Sequence, residues 1–123
     1  MIKILSENSY SEENYSVNTC IIELKSAFLV LITDQENFGI GNVLLSSPPA
    51  GEGMGSISAP APLFGLDIKR DTLGKMTSEL LAKSLKKPCL LLFNIKGNEK
   101  KELIISKCVI QSVKLSIEPL KNT

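Results

Sequence analysis

The sequence predicts an α+β domain, a mainly antiparallel β-sheet with two helices packed on its apolar face. Three observations lead there. Short apolar runs bounded by turn residues recur through residues 2–45, as strands do. Residues 71–87 carry apolar side chains at helical spacing and end at a proline. The most apolar run, "CLLLFNI", follows that helix, and a second helical pattern closes the chain. At 123 residues the whole chain, 1–123, reads as a single domain. Its core has to be aliphatic, because there is no Trp and only two Tyr and four Phe.

The elements follow in order. Ile2, Ile4 and Leu5 suggest a short first strand, and the polar residues 6–15 read as a loop. Residues 15–24 begin with alternation, Tyr15, Val17 and Thr19 on one face, and turn apolar at Cys20, Ile21 and Ile22. Lys25-Ser26 breaks the chain, and residues 27–33 form a short, wholly apolar run suited to a buried strand; the two together predict a hairpin. Residues 33–39 are a polar turn, and residues 40–45 are a further strand loosened at its start by Gly39 and Gly41. A Pro/Gly-rich stretch, "SSPPAGEGMGSISAPAPLFG", then opens at Ser46. It predicts a flexible surface loop at about 46–62, not a linker between domains, since the segments on either side are too small to build separate cores.

The helix after it is the clearest element. Asp71 is the expected N-cap. Leu73, Met76, Leu80, Leu81 and Leu85 fall on one side, and Lys75, Ser78, Glu79, Lys83 and Lys86 on the other. Glu79 and Lys83 are spaced as an i,i+4 ion pair. Lys83, Lys86 and Lys87 complement the negative end of the helix, which Pro88 stops. Gly74 costs about 1 kcal/mol relative to Ala in the helix. Residues 89–95 predict a central strand buried on both faces. "KGNEKK" is a turn. The β-branched residues of 102–117 favour a strand, but the apolar positions 105, 109 and 113, flanked by 104, 108 and 103, 110, fit a helical face better, so a helix is expected. The final "EPLKNT" reads as frayed.

The chemistry is restricted by the lack of histidine. Ser-His and Cys-His nucleophile pairs, His-ligated zinc and the usual general base are all excluded. Cys20, Cys89 and Cys108 show no CxxC spacing and each sits in an apolar run, so they are expected as inert core thiols. Gly51, Gly53 and Gly55 miss the GxGxxG spacing, and the prolines of "ISAPAP" behind them forbid the helix start that a phosphate loop needs. Of the carboxylate pairs Glu12-Glu13, Asp34-Glu36 and Asp67-Asp71, each lies in a polar turn or at a helix start, where solvation and capping explain it. No catalytic, cofactor-binding or metal-binding residue is therefore assigned. A net charge of +1 gives no global field for nucleic acid or anionic lipid. No apolar stretch is long enough for a signal peptide or a membrane span, which predicts an intracellular soluble protein. What remains is binding to another protein.

The stretch "LFGLDIKRDTLGKMTSELLAKSLKKPCLLLFNI", residues 63–95, resembles the proteasome assembly chaperone family, its small third- and fourth-type subunits, and the fourth type above all. The shared pattern is an apolar segment ending near Gly65, a helix carrying Leu81-Ala82-Lys83, and Pro88-Cys89 opening an apolar strand that ends in Phe93-Asn94. "ELKSAFLVLI" resembles the family's paired strands, and the tail from Leu103 its final helix. The Pro/Gly stretch is richer than the family pattern. The resemblance implies a non-enzymatic chaperone without cofactors, in cytoplasm and nucleus. It would pair as a heterodimer with a sister third-type chain and bind α subunits of the 20S proteasome, notably the fifth, to promote α-ring assembly. Contact residues do not carry over from the family; Glu52, Met54 and Ile57 of the Pro/Gly arm are the expected partner contacts on geometric grounds alone. The competing readings are a small nucleotide-binding protein using residues 51–56 and a trafficking or scaffold domain of the same layout.

Overall fold

The structure, a computed structural model, describes residues 2–39, 41–48, 57–60, 68–97 and 102–120. Its elements are β1 (Lys3–Glu12), β2 (Tyr15–Glu23), β3 (Phe28–Thr33), β4 (Asn42–Ser47), β5 (Ile57–Pro60), α1 (Ile68–Leu85), β6 (Cys89–Asn94) and α2 (Glu102–Ile117), followed by a short 3-10 turn, Glu118–Leu120. The described strands form one sheet in the order β1-β2-β3-β6-β4-β5. The central pair β3–β6 is parallel, and every other neighbouring pair is antiparallel. The α+β class, with two helices packed on a mainly antiparallel sheet, is the one the sequence predicts.

The first hairpin differs from expectation. Residues 6–12 are not a loop but the greater part of a ten-residue edge strand paired with β2 across Glu13 and Asn14, both at left-handed φ. The polar composition that suggests a loop is the composition of an edge strand, where charged and hydroxyl side chains deter further pairing. The period of two is present, since Ser6, Asn8, Tyr10 and Glu12 turn toward α2 while Glu7, Ser9 and Ser11 turn away. The register shifts between Ile4 and Ser6, which leaves Leu5 as an extra residue packed against the core.

The Pro/Gly stretch is also more ordered at its ends than expected. Ser46 and Ser47 finish β4, and residues 57–60 return as β5, with Ile57 opposite Ser47 and Pro60 opposite Leu44. A proline fits there because β5 is an edge strand, where a missing N–H costs no ladder bond on the outer side. The remainder of the expected loop, residues 49–56 and 61–62, lies outside the described residues. Gly41, ahead of β4, holds φ +52°, and a Cβ there would meet the Phe93 carbonyl oxygen and, at 2.8 Å, the Asn94 Cα. It is a required glycine and not a loosened strand start.

Cross-strand partners share a face, so one row runs Thr19, Ile32, Phe93, Asn42 and the next Ile21, Val30, Leu91, Leu44. Both helices lie on this face. In α2, Ile105, Cys108, Val109, Val113 and Ile117 are buried against it, while Leu103 is 88% exposed. Hydroxyls seat this helix: Thr19 Oγ1 and Ser112 Oγ lie 2.7 Å apart, and Asn8 Nδ2 donates to Ser116 Oγ at 3.3 Å. The turn Glu118–Leu120 continues α2 where a frayed end was expected.

Helix α1 begins at Ile68, three residues before the expected cap. No proline or glycine at 68–70 prevents this, and an aspartate is as well suited to the first turn as to the cap. The predicted leucine stripe holds in part: Leu73, Leu80, Leu81 and Leu85 pack on the core, but the most buried line of the helix is shifted toward small residues. Gly74, Thr77, Ser78, Leu81 and Ala82 are buried, whereas Met76 is 57% exposed. Small residues bring the helix close to β4 and β6: a Cβ on Gly74 would come within 2.8 Å of Leu44 Cδ1, and Ser46 Oγ donates to the Ser78 carbonyl at 2.9 Å. Gly74 therefore offsets its helix cost by permitting this approach. The expected Glu79–Lys83 pair does not form; Lys83 makes no ion pair among the described residues. The helix ends as expected before Pro88, with Lys86 at left-handed φ and its N–H bonded to the Ala82 carbonyl at 2.9 Å.

Two stability measurements check this packing. Gly41→Ala places a Cβ against backbone at a left-handed φ and is expected to cost about 2–4 kcal/mol in urea unfolding. Ser78 is fully buried with an Oγ that has no hydrogen-bond partner among the described residues. Ser78→Ala removes that unpaired hydroxyl and improves helix propensity, so it is expected to stabilise the fold by about 1 kcal/mol.

Candidate functional site

The polar clusters of the described chain are structural. Asp34, at the carboxyl end of β3, accepts bonds from the Tyr15 hydroxyl at 3.0 Å, Gln35 Nε2 at 2.8 Å and the Lys96 amide at 3.0 and 3.1 Å. Thr33 and Asn94 close the same knot, with Thr33 Oγ1 donating to the Asn94 carbonyl at 3.1 Å. It ties the ends of the two parallel strands together, and its groups are occupied with one another. Glu12 is held by Lys107 at 3.0 Å, a bond that pushes the Lys107 ammonium above its ordinary range. Asp67, like Gly51, Gly53, Gly55, Glu52 and Met54, lies outside the described residues, and Ile57 opens β5. Among the described residues no cluster of three His, Cys, Asp or Glu side chains has metal-binding geometry, and no helix is long and apolar enough to cross a membrane.

The three cysteines are free and buried. Burial pushes the Cys89 thiol up to about 12, and burial first, then the Glu7 charge, raises Cys20. Burial, then Glu12, raises Cys108.

The feature that stands without a structural explanation is the other side of the sheet. Here the strand pairs present Ile22 beside Leu29, Leu29 beside Leu90, Leu31 beside Leu92, and Leu45 beside Leu90. Leu45 is 54% exposed, and Ile22, Leu29, Leu31, Leu90 and Leu92 are half-buried. No described element packs on this side. The prediction that residues 89–95 are buried on both faces is thus corrected: Cys89, Leu91 and Phe93 lie under the helices, while Leu90 and Leu92 look outward. Contiguous apolar surface of this kind marks an interaction site in a stable fold. The signal was present in "FLVLIT" and "CLLLFN", each apolar at every other position on both sides. Both described helices cover one face of the six-stranded sheet, and no described helix lies on the second.

Comparison with known proteins agrees with the fold. No family model and no curated protein matches the sequence. Among solved structures, a chain of a chaperone complex for yeast 20S proteasome assembly superposes with a TM-score of 0.64 at 10% identity, over 94% of this chain and 98% of that chain. The class defined by fold and site is an α+β domain with one sheet face under the two helices and an opposite apolar face on which no described helix packs, sharing its fold with that chaperone.

Because the folded Cys89 pKa lies above its ordinary value of 9.0, the thiol stays protonated in the fold while the unfolded chain ionises. Stability from this residue is full below pH 9 and is lost as pH rises toward about 12. Iodoacetamide at pH 8 is accordingly expected to leave Cys89 unlabelled in the native chain and to label it in urea, read by mass spectrometry of the 88–95 peptide.

Proposed function

We propose that this protein is a non-enzymatic proteasome assembly chaperone of the fourth type. It pairs with a sister third-type chaperone and binds α subunits of the 20S proteasome, notably the fifth, to promote α-ring assembly in cytoplasm and nucleus. The observation that carries this reading is the uncovered apolar sheet face on a fold shared, across nearly the whole of both chains, with a yeast proteasome assembly chaperone. Two such faces stacked about 10 Å apart complete each other's core. Fully burying a leucine that is half-exposed contributes on the order of 1 kcal/mol. Several of them side by side give a pairing energy without any catalytic group. A temporary partner that hides apolar surface fits an assembly factor that later leaves. Partner contacts at Glu52, Met54 and Ile57 are part of the same proposal, and the resemblance in residues 63–95 supports the family.

Co-purification from the cell of origin tests it. The tagged chain is expected to bring down the sister chaperone and proteasome α subunits. A chain carrying Leu45→Glu and Leu92→Glu, on the uncovered face, is expected to keep its circular dichroism and lose the sister. Recovery of neither a sister chaperone nor any α subunit with the unaltered chain would overturn the assignment.

A further inference from the structure

A second surface lies on the helix side, at the end of the sheet away from the Asp34 knot. There the start of β1, the end of β2, the start of β3, the last turns of α1 and Leu120 enclose a groove of about 900 Å³. This is within the range of ordinary ligand sites, about 300–1,000 Å³. Its walls are aliphatic and aromatic, supplied by Leu5, Phe28, Leu80 and Leu85. Its rim is cationic: Lys3, Lys83, Lys86 and Lys87 against the single carboxylate of Glu23. Glu23 pairs loosely with Lys3 at 3.6 Å, and Lys87 Nζ stands 5.3 Å from the centre of the Phe28 ring. Lys83 and Lys86 make no ion pair among the described residues. In a chain of net charge +1, this is a local concentration of positive charge over an apolar floor.

Lys86 adds a second observation. It occupies the left-handed position that ends α1, at φ 59°, where glycine is the favoured residue and any other side chain carries a steric cost. A lysine stands there, at the lip of the groove. Backbone strain at a solvent-facing position is a pointer to a functional role for its side chain.

We propose that this groove docks a segment of a partner protein in which an apolar side chain is flanked by carboxylates. The apolar anchor fills the space between Leu80, Leu85 and Phe28, and the carboxylates meet Lys83 and Lys86. Charge complementarity selects this occupant. A nucleic-acid strand would need stacking platforms, and the described wall offers one ring, already covered by Lys87. A small polar metabolite would need converging polar groups inside, and the only hydroxyl among the described wall residues is Ser84. The groove lies on the side opposite Leu29, Leu31, Leu90 and Leu92, so it stands independently of the pairing face and leaves both surfaces usable at once.

The test uses the full chain and a fluorescein-labelled peptide of alternating Glu and Leu, read by anisotropy, with its Lys-Leu counterpart as control. The acidic peptide is expected to bind and the basic one not. Lys83→Glu with Lys86→Glu is expected to weaken binding by about tenfold or more, and added salt to weaken it as well. Lys86→Gly separates function from folding: it relieves the left-handed strain, so the Tm is expected to rise by about 2–4 °C while peptide affinity falls. The proposal is overturned if both peptides bind alike, if the charge reversal leaves the acidic peptide's affinity unchanged, or if Lys86→Gly raises Tm without loss of affinity. Tighter binding to an anionic phospholipid vesicle or a single-stranded oligonucleotide than to the acidic peptide overturns it equally.

Discussion

The rest of the structure depends on the parallel pairing of β3 with β6. Phe28, Val30 and Ile32 align with Cys89, Leu91 and Phe93 on one side, and Leu29 and Leu31 with Leu90 and Leu92 on the other. Parallel strands are ordinarily covered on both faces, and both sequences are apolar enough for that. The chain provides two helices, and both lie on the first side. The same pairing that builds the core thus creates a second apolar face that the described chain does not cover. The core and the surface proposed for partner binding are consequences of one sequence pattern.

How the helices are held follows from that arrangement. Their contacts with the sheet combine aliphatic packing with small residues and hydroxyls: Thr19 with Ser112, Asn8 with Ser116, Ser46 with the Ser78 carbonyl, and Gly74 against Leu44 and Phe93. Hydroxyl pairs fix position more than they add energy, since each replaces bonds to water. The unpaired Ser78 hydroxyl and the left-handed Lys86 are local departures from best stability. One sits at the helix–sheet contact, the other at the rim of the cationic groove.

Much of this architecture was legible in the sequence. The hairpin of β2 and β3, the span of α2 and the end of α1 at Leu85 all follow from periodicity and from Pro88. What was hidden is physical in each case. β1 read as a loop because an edge strand facing hydroxyls of α2 is itself polar. The buried face of α1 was only partly legible: Leu73, Leu80, Leu81 and Leu85 do pack on the core, but close approach to β4 also buries Gly74, Thr77 and Ser78 and leaves Met76 outside. Strand β5 was hidden by Pro60, which an edge strand tolerates. The uncovered face was written in the strand sequences, but seeing it requires the register that puts Leu29, Leu31, Leu90 and Leu92 side by side. Glu52, Met54 and Ile57 were chosen from loop geometry; Glu52 and Met54 lie outside the described residues, and Ile57 opens β5.

The central claim is that this leucine face is covered by another polypeptide when the protein acts. Hydroxyl-radical footprinting of the complex recovered from cells, compared with the chain diluted to monomer, measures it directly. Labelling of Leu29, Leu31, Leu90 and Leu92 should fall sharply in the complex, while Leu103, on the outer side of α2, keeps its reactivity. Unchanged labelling of those four leucines in an intact complex would contradict the account.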